Sequence, residues 1–232
     1  MNLLLLTSDD FLDDNLVKLN SRRFKHIQMA VGSSLRIGLI NGQIGNGTII
    51  GIKKDCLEMT VQLSDDPPTP LPLTVLLALP RPKMLRRCFQ HLAALGVKRI
   101  VLMNTYRVEK SFWQTPWLSE DRVREQLILG LEQAKDTILP EVILEKRFKP
   151  FVEDRLPAIV GSLRALVAHP GRGYSCPRNI KEPSVLAIGP EGGFIPYEVD
   201  MFESKGFEVI HLGLRILRVE TVVTALISKL YD

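Results

Sequence analysis

The chain has 232 residues, 45% of them hydrophobic and 24% charged, with a net charge of +4 and a pI near 9.0. These are the proportions of a globular protein with one large domain or two smaller ones, and the basic balance permits a polyanionic partner without requiring one. No apolar run has the length needed to cross a bilayer and Leu3–Leu6 is too short for a signal-peptide core; the scattered Cys56, Cys88 and Cys176 imply neither a disulfide framework nor a metal site, so a reducing cytoplasm is the expected setting.

Residues 1 to about 66 read as short β-segments. Ser33–Ile40 partly alternates, Asn41-Gly42 is a strong hairpin signal, and Thr48–Ile52 and Leu57–Leu63 continue the pattern, which predicts a small barrel. Arg22, Arg23, Lys25, His26 and Arg36 cluster around a predicted loop. On their own they read as a solvated face, the usual fate of such charges; the alternative is contact with nucleic-acid phosphates. Ser64–Pro72, rich in proline and acid, is the clearest boundary in the chain.

Beyond it strands and helices alternate. Leu73–Leu79 is an apolar strand, and Met84, Leu85, Cys88, Phe89, Leu92 and Leu95 fall on one face of a helix that Gly96 ends. Val97–Met103 is the next strand. Trp113 and Trp117 in the following loop either stack on a base or pack locally. Ser119 is a plausible N-cap for the next helix, with Glu120 and Asp121 behind it. A strand over Glu141–Phe148, a helical piece with Pro157 near its end, and a strand over Arg164–Ala168 follow. Such alternation means a mostly parallel sheet covered on both faces.

The last fifty or so residues carry two glycine-bearing turns, each directly after an apolar strand. Ser184–Gly189 empties into Gly189-Pro190-Glu191-Gly192-Gly193; a helix then starts at Pro196 and stops at Gly206. Phe207–Leu212 empties into Leu212-Gly213-Leu214-Arg215-Ile216-Leu217-Arg218, and Val219, Val222, Val223, Leu226, Ile227 and Leu230 give the last helix an apolar face. If the two strands are parallel neighbours, both turns lie at the sheet edge where open α/β sheets bind ligands. The turns match neither the spaced dinucleotide fingerprint nor the phosphate loop.

GPEGGF followed after a helix by LGLRILRVET resembles the paired signature of the RsmE-type methyltransferases of small-subunit ribosomal RNA, members of the SPOUT class. The resemblance implies an α/β fold: a trefoil-knotted, mostly parallel sheet with helices on both faces over residues 73–232, preceded by a PUA-like, RNA-binding β-barrel over residues 1–68. Knots are rare, and this one is implied by the resemblance alone. It also implies S-adenosylmethionine as cofactor, held by Ile188, Gly189, Pro190, Glu191, Gly192 and Gly193 from the first turn and Leu212, Gly213, Ile216, Leu217 and Arg218 from the second. The implied reaction is methylation of N3 of a uridine in 16S ribosomal RNA, with ribosomal RNA or the small subunit as partner, a homodimer as the assembly, and no metal and no membrane.

Arg218 and Arg215 are the candidate catalytic residues, since a guanidinium stays charged and offers a planar fork of donors to a phosphate or a developing uridine anion. Their ordinary alternative is a salt bridge to Glu191 or Glu220. Glu191 itself is a candidate base or, more simply, a loop-ordering carboxylate, and His169-Pro170 a candidate pocket border. Beside the family resemblance, Arg22, Arg23, Lys25 and Arg36 become candidate RNA contacts. The resemblance thins in the middle of the chain. The family's Glu-Leu-Gly-Val is Ala94-Leu95-Gly96-Val97 here, and its Glu-Gln-Ser-x-Arg is Glu132-Gln133-Ala134-Lys135-Asp136, which reverses a charge where RNA could be met. Two alternatives stay open: another ribosomal or transfer RNA nucleotide as target, or a non-catalytic RNA-binding protein of the same fold.

Overall fold

A computed structural model describes residues 2–20, 23 and 30–231. The chain divides into two units, Met1–Thr69 with Ile128–Leu139, and Pro70–Leu127 with Pro140–Asp232.

The first unit holds β1 (Leu4–Leu6), β2 (Leu16–Asn20), β3 (Ser34–Leu39), β4 (Ile44–Ile52) and β5 (Cys56–Asp65) in one sheet ordered β1-β3-β4-β5-β2. The β1–β3 pair is parallel and the other ladders are antiparallel. Asn41 takes φ 60°, the left-handed conformation that asparagine tolerates, and so turns β3 into β4 as its sequence predicts. Alternate residues point inward: Val17 and Leu19 of β2 meet Leu57, Met59 and Val61 of β5 in a core shared with Leu4, Leu6, Ile37 and Ile49. No ladder joins β1 to β2 among the described residues.

The unit also takes in residues far along the chain. Leu5 N–H donates to Glu132 Oε1 at 3.1 Å, Asn41 N–H to the Thr137 carbonyl at 2.9 Å, and Thr137 Oγ1 to the Gly42 carbonyl at 2.5 Å. Thr137 is completely buried and Asp136 is 3% exposed, with Oδ1 of Asp136 accepting the N–H of Ile138 at 2.9 Å. The sequence placed Asp136 where RNA could be met; buried and hydrogen-bonded, it belongs to the interior.

The second unit holds β6 (Leu73–Ala78), α1 (Pro82–Ala94), β7 (Arg99–Met103), the first half of α2 (Glu120–Ala134), β8 (Glu141–Glu145), the short helices α3 (Phe148–Pro150) and α4 (Leu156–Val160), β9 (Arg164–Ala168), β10 (Tyr174–Ser175), β11 (Ser184–Ile188), α5 (Pro196–Glu203), β12 (Glu208–His211) and α6 (Val219–Leu230). Its seven strands are all parallel, in the order β10-β12-β9-β11-β6-β7-β8. Every residue of β6 and β11 is buried, as expected for central strands covered on both faces. The strand expected over Glu141–Phe148 stops at Glu145, because Phe148 opens helical backbone and sets its ring edge-on against Phe202 at 5.5 Å.

Two helices of this unit matter for the site. Pro82 and Pro196 each sit in the first turn of their helix, where a missing N–H costs nothing. Gly96 and Gly206 end α1 and α5 in the left-handed region, at φ 84° each. The condition set on the two strands is met in part: β11 and β12 are parallel but not adjacent, because β9 lies between them and pairs with both. The two turns still leave the same edge of the sheet, and a third strand exit separates them.

Candidate active site

Three strand exits meet at that edge. After β11, Gly193 N–H closes back on the Pro190 carbonyl at 2.8 Å with Gly193 at φ 71°, a turn that favours glycine. After β12, Gly213 takes φ 113° and donates its N–H to Nδ1 of His211 at 3.0 Å, which leaves any ring proton of neutral His211 on Nε2. After β9, His169 donates its backbone N–H to the Ile210 carbonyl at 2.9 Å, and its Nδ1 lies 3.0 Å from the Pro170 carbonyl.

These exits enclose a cleft that is partly open to solvent. Of the residues the sequence singles out, Ile188, Gly189, Pro190, Glu191, Gly193, Leu212, Gly213, Arg215, Ile216 and Leu217 line it. The wall is completed by Ala168, His169, Pro170, Ile210, His211, Val219, Val222 and Leu226. Among the described residues the backbone of Leu214–Leu217 makes no internal hydrogen bond, so its N–H and C=O groups are open to a ligand. Apolar walls and unspent backbone donors and acceptors suit an adenosyl group, whose ring faces are apolar and whose ring edge is polar. Glu191 is the one carboxylate on the lining.

Gly192 and Arg218 do not line the cleft. Arg107 lies against Gly192, its guanidinium donating to the Gly192 carbonyl and its Cδ 2.9 Å from where a Cβ at that position would sit. Arg218 precedes α6, its carbonyl accepting the N–H groups of Thr221 and Val222 at 3.0 and 2.9 Å. Neither Arg215 nor Arg218 has a side-chain partner among the described residues. The acids that could have neutralised them are engaged elsewhere: Glu191 accepts the backbone N–H of Arg81 at 3.0 Å, and Glu220 lies 3.6 Å from Arg87.

The candidate RNA contacts fall in the first unit. Arg22 and Lys25, with Phe24 and His26, lie outside the described residues. Arg23 is paired with Asp10 at 2.6 Å, and Arg36 with Asp65 and, at 3.3 Å, with Asn46. The tryptophans are packed locally. Trp113 Nε1 donates to Asn104 Oδ1 at 2.8 Å, and the guanidinium groups of Arg86 and Arg122 lie over the Trp117 ring at 4.1 and 5.6 Å from its centre.

Sequence reasoning missed Arg107 and Glu198, and did not commit to His169. His169 left a signal, standing at the end of a predicted parallel strand. Glu198 left a weaker one, an acid three residues beyond the residue before a helix. Arg107 left none.

The RNA methyltransferase domain family matches residues 67–231 of the chain. The chain is 26% identical over 237 residues to the ribosomal RNA small subunit methyltransferase E of Treponema pallidum, covering 97% of this chain and 88% of that protein. It is 25% identical to the protein of the same name from Synechocystis, covering 97% of this chain and 76% of that one. The crystal structure of the ribosomal RNA small subunit methyltransferase E of Neisseria gonorrhoeae bound to S-adenosyl methionine shares the fold, with a TM-score of 0.76, 20% identity and coverage of 97% and 95%. The chain belongs to the RNA methyltransferase family, of the RsmE type.

Proposed function

We propose that the chain transfers a methyl group from S-adenosylmethionine to N3 of a uridine in 16S ribosomal RNA. One observation carries the reading: in a chain of this family, the Gly189–Gly193 turn and the Leu212–Leu217 segment line a single cleft. When bound, the cofactor supplies an electrophilic methyl group. Ile188, Gly189, Pro190, Glu191 and Gly193 hold it from one side, and Leu212, Gly213, Ile216 and Leu217 from the other.

N3 of uridine becomes a nucleophile only once its proton has left to solvent water, and its attack on the methyl group releases S-adenosylhomocysteine. Arg218 and Arg215, exposed and without a side-chain partner among the described residues, are suited to stabilise the negative charge that remains on the ring, where preorganised cations act most strongly. The first unit serves as a PUA-like, RNA-binding barrel, with Arg22, Arg23, Lys25 and Arg36 exchanging present partners or solvent for phosphates. The exposed side chains of Leu214 and Ile216, 96% and 84% accessible, fit an assembly in which a second copy covers this segment, as in a homodimer closed through a C-terminal knot. A cytoplasmic setting follows from the ribosomal substrate. No helix among the described residues is long and apolar enough to cross a membrane.

The test is to isolate small ribosomal subunits from a strain lacking the gene and assay N3-methyluridine. Its loss, restored by the purified protein and S-adenosylmethionine, supports the reading; an unchanged level defeats it. Methyl incorporation mapped across total RNA detects a different nucleotide, and calorimetry with S-adenosylmethionine detects a protein that binds RNA without catalysis.

A further inference from the structure

Glu198 is 2% exposed, and its carboxylate faces two backbone N–H groups from different parts of the second unit. Oε2 accepts from Ile195 at 3.0 Å, at the start of α5, and Oε1 accepts from Tyr106 at 2.7 Å, in the segment after β7. The first bond is the ordinary service of an acid in the first turn of a helix. The second is not, since it reaches ninety-two positions back along the chain. The next residue, Arg107, grips the Gly192 carbonyl in turn. The segment after β7 therefore holds the second half of the turn that lines the cleft, at Gly192 through a side chain and at Ile195 through Glu198.

We propose that Glu198 is a positioning residue for methyl transfer: its carboxylate ties the Tyr106–Arg107 segment to the Gly189–Ile195 turn, so that the turn presents the methyl donor in one fixed pose. The proposal rests on the methyltransferase reading. A charged acceptor buried with two amide donors is a strong and directional tie. Removing it takes the protein partner from both amides and lets the turn move.

Glu198→Asp separates the tie from the helix cap. The aspartate keeps its charge in the first turn of α5 and reaches Ile195, but one methylene fewer takes it out of reach of Tyr106. The expected result has three parts. Amide exchange in the intact variant speeds up at Tyr106 and Arg107 and not within α5. The unfolding midpoint stays close to wild type while kcat/KM on small subunits falls on the order of 100-fold, the usual scale for a misplaced reacting group. Arg107→Ala, costing on the order of tenfold in the wild-type background, adds less than about twofold to Glu198→Asp, because both variants release the same clasp. Glu198→Gln, which keeps length and one acceptor oxygen, recovers part of the activity.

Unchanged exchange at Tyr106, or additive losses from the two substitutions, overturns the proposal. If the wild-type protein transfers no methyl group, the methyltransferase reading falls instead, and amide exchange at Tyr106 still tests the tie.

Discussion

Glu220, at the start of α6, lies 3.6 Å from Arg87 of α1 and not against an arginine of its own loop. With Glu191 held by the backbone of Arg81, no acid among the described residues neutralises Arg215 or Arg218. An arginine without a partner beside a ligand cleft is available for chemistry, and the substitutions below follow from that.

Arg218→Ala is expected to lower kcat by about 10²–10³-fold, the range for removing one preorganised stabiliser of transition-state charge. Arg218 does not line the cleft, so affinity for S-adenosylmethionine by calorimetry should change much less. Equal losses in affinity and turnover would move Arg218 into the donor pocket.

Gly193→Val is expected to abolish donor binding. Nothing lies within 4 Å of a Cβ built there, so no collision in the protein stands in the way. The obstacles are the backbone at φ 71°, where a β-branched residue costs about 1–3 kcal/mol, and a branched side chain on the cleft wall. Gly206→Val is the matched control: φ is 84° with nothing within 4 Å, but the residue caps α5 and lies off the lining. It should lose similar stability and keep donor binding. Retained binding in Gly193→Val would show the turn is misassigned.

Much of this was legible in the sequence, and the failures have physical causes. Asn41-Gly42, the buried runs of β6 and β11, and the two glycine turns were read from local signals: an asparagine–glycine pair, uninterrupted apolar strands, and glycine beside a strand end. Strand order was not legible, since β9 enters between β11 and β12 through pairings that local pattern does not encode. Strand β2 was missed although Val17 and Leu19 alternate with Lys18, because an acidic loop precedes so short a run. The clasp at Glu198 and the insertion of Thr137 beneath Gly42 depend on partners about ninety residues away.

Thr137→Val tests that second contact. The hydroxyl donates to the Gly42 carbonyl at 2.5 Å from a fully buried side chain, and valine keeps the shape while orphaning the carbonyl. A loss of about 1–3 kcal/mol in urea unfolding is expected, and an unchanged midpoint would mean that water replaces the bond.

Burial, reinforced by the charges of Glu220 and Glu191, pushes the Cys88 thiol from 9.0 up to about 12. The folded state thus favours the protonated form. Its contribution is whole below about pH 9 and is lost as the pH rises through about 12, so stability should fall across that window. At pH 8 a thiol reagent should find one fast cysteine, the partly exposed Cys56, with buried Cys88 and Cys176 reacting only on unfolding. Fast labelling of Cys88 in the folded protein would contradict the environment described.

A crystal structure with S-adenosylhomocysteine is the most direct measurement. The account predicts the adenosyl group against Leu212–Leu217, with the Gly189–Gly193 turn closing from the other side. The product seated away from both segments, or the two segments drawn apart around an empty cleft, would contradict it.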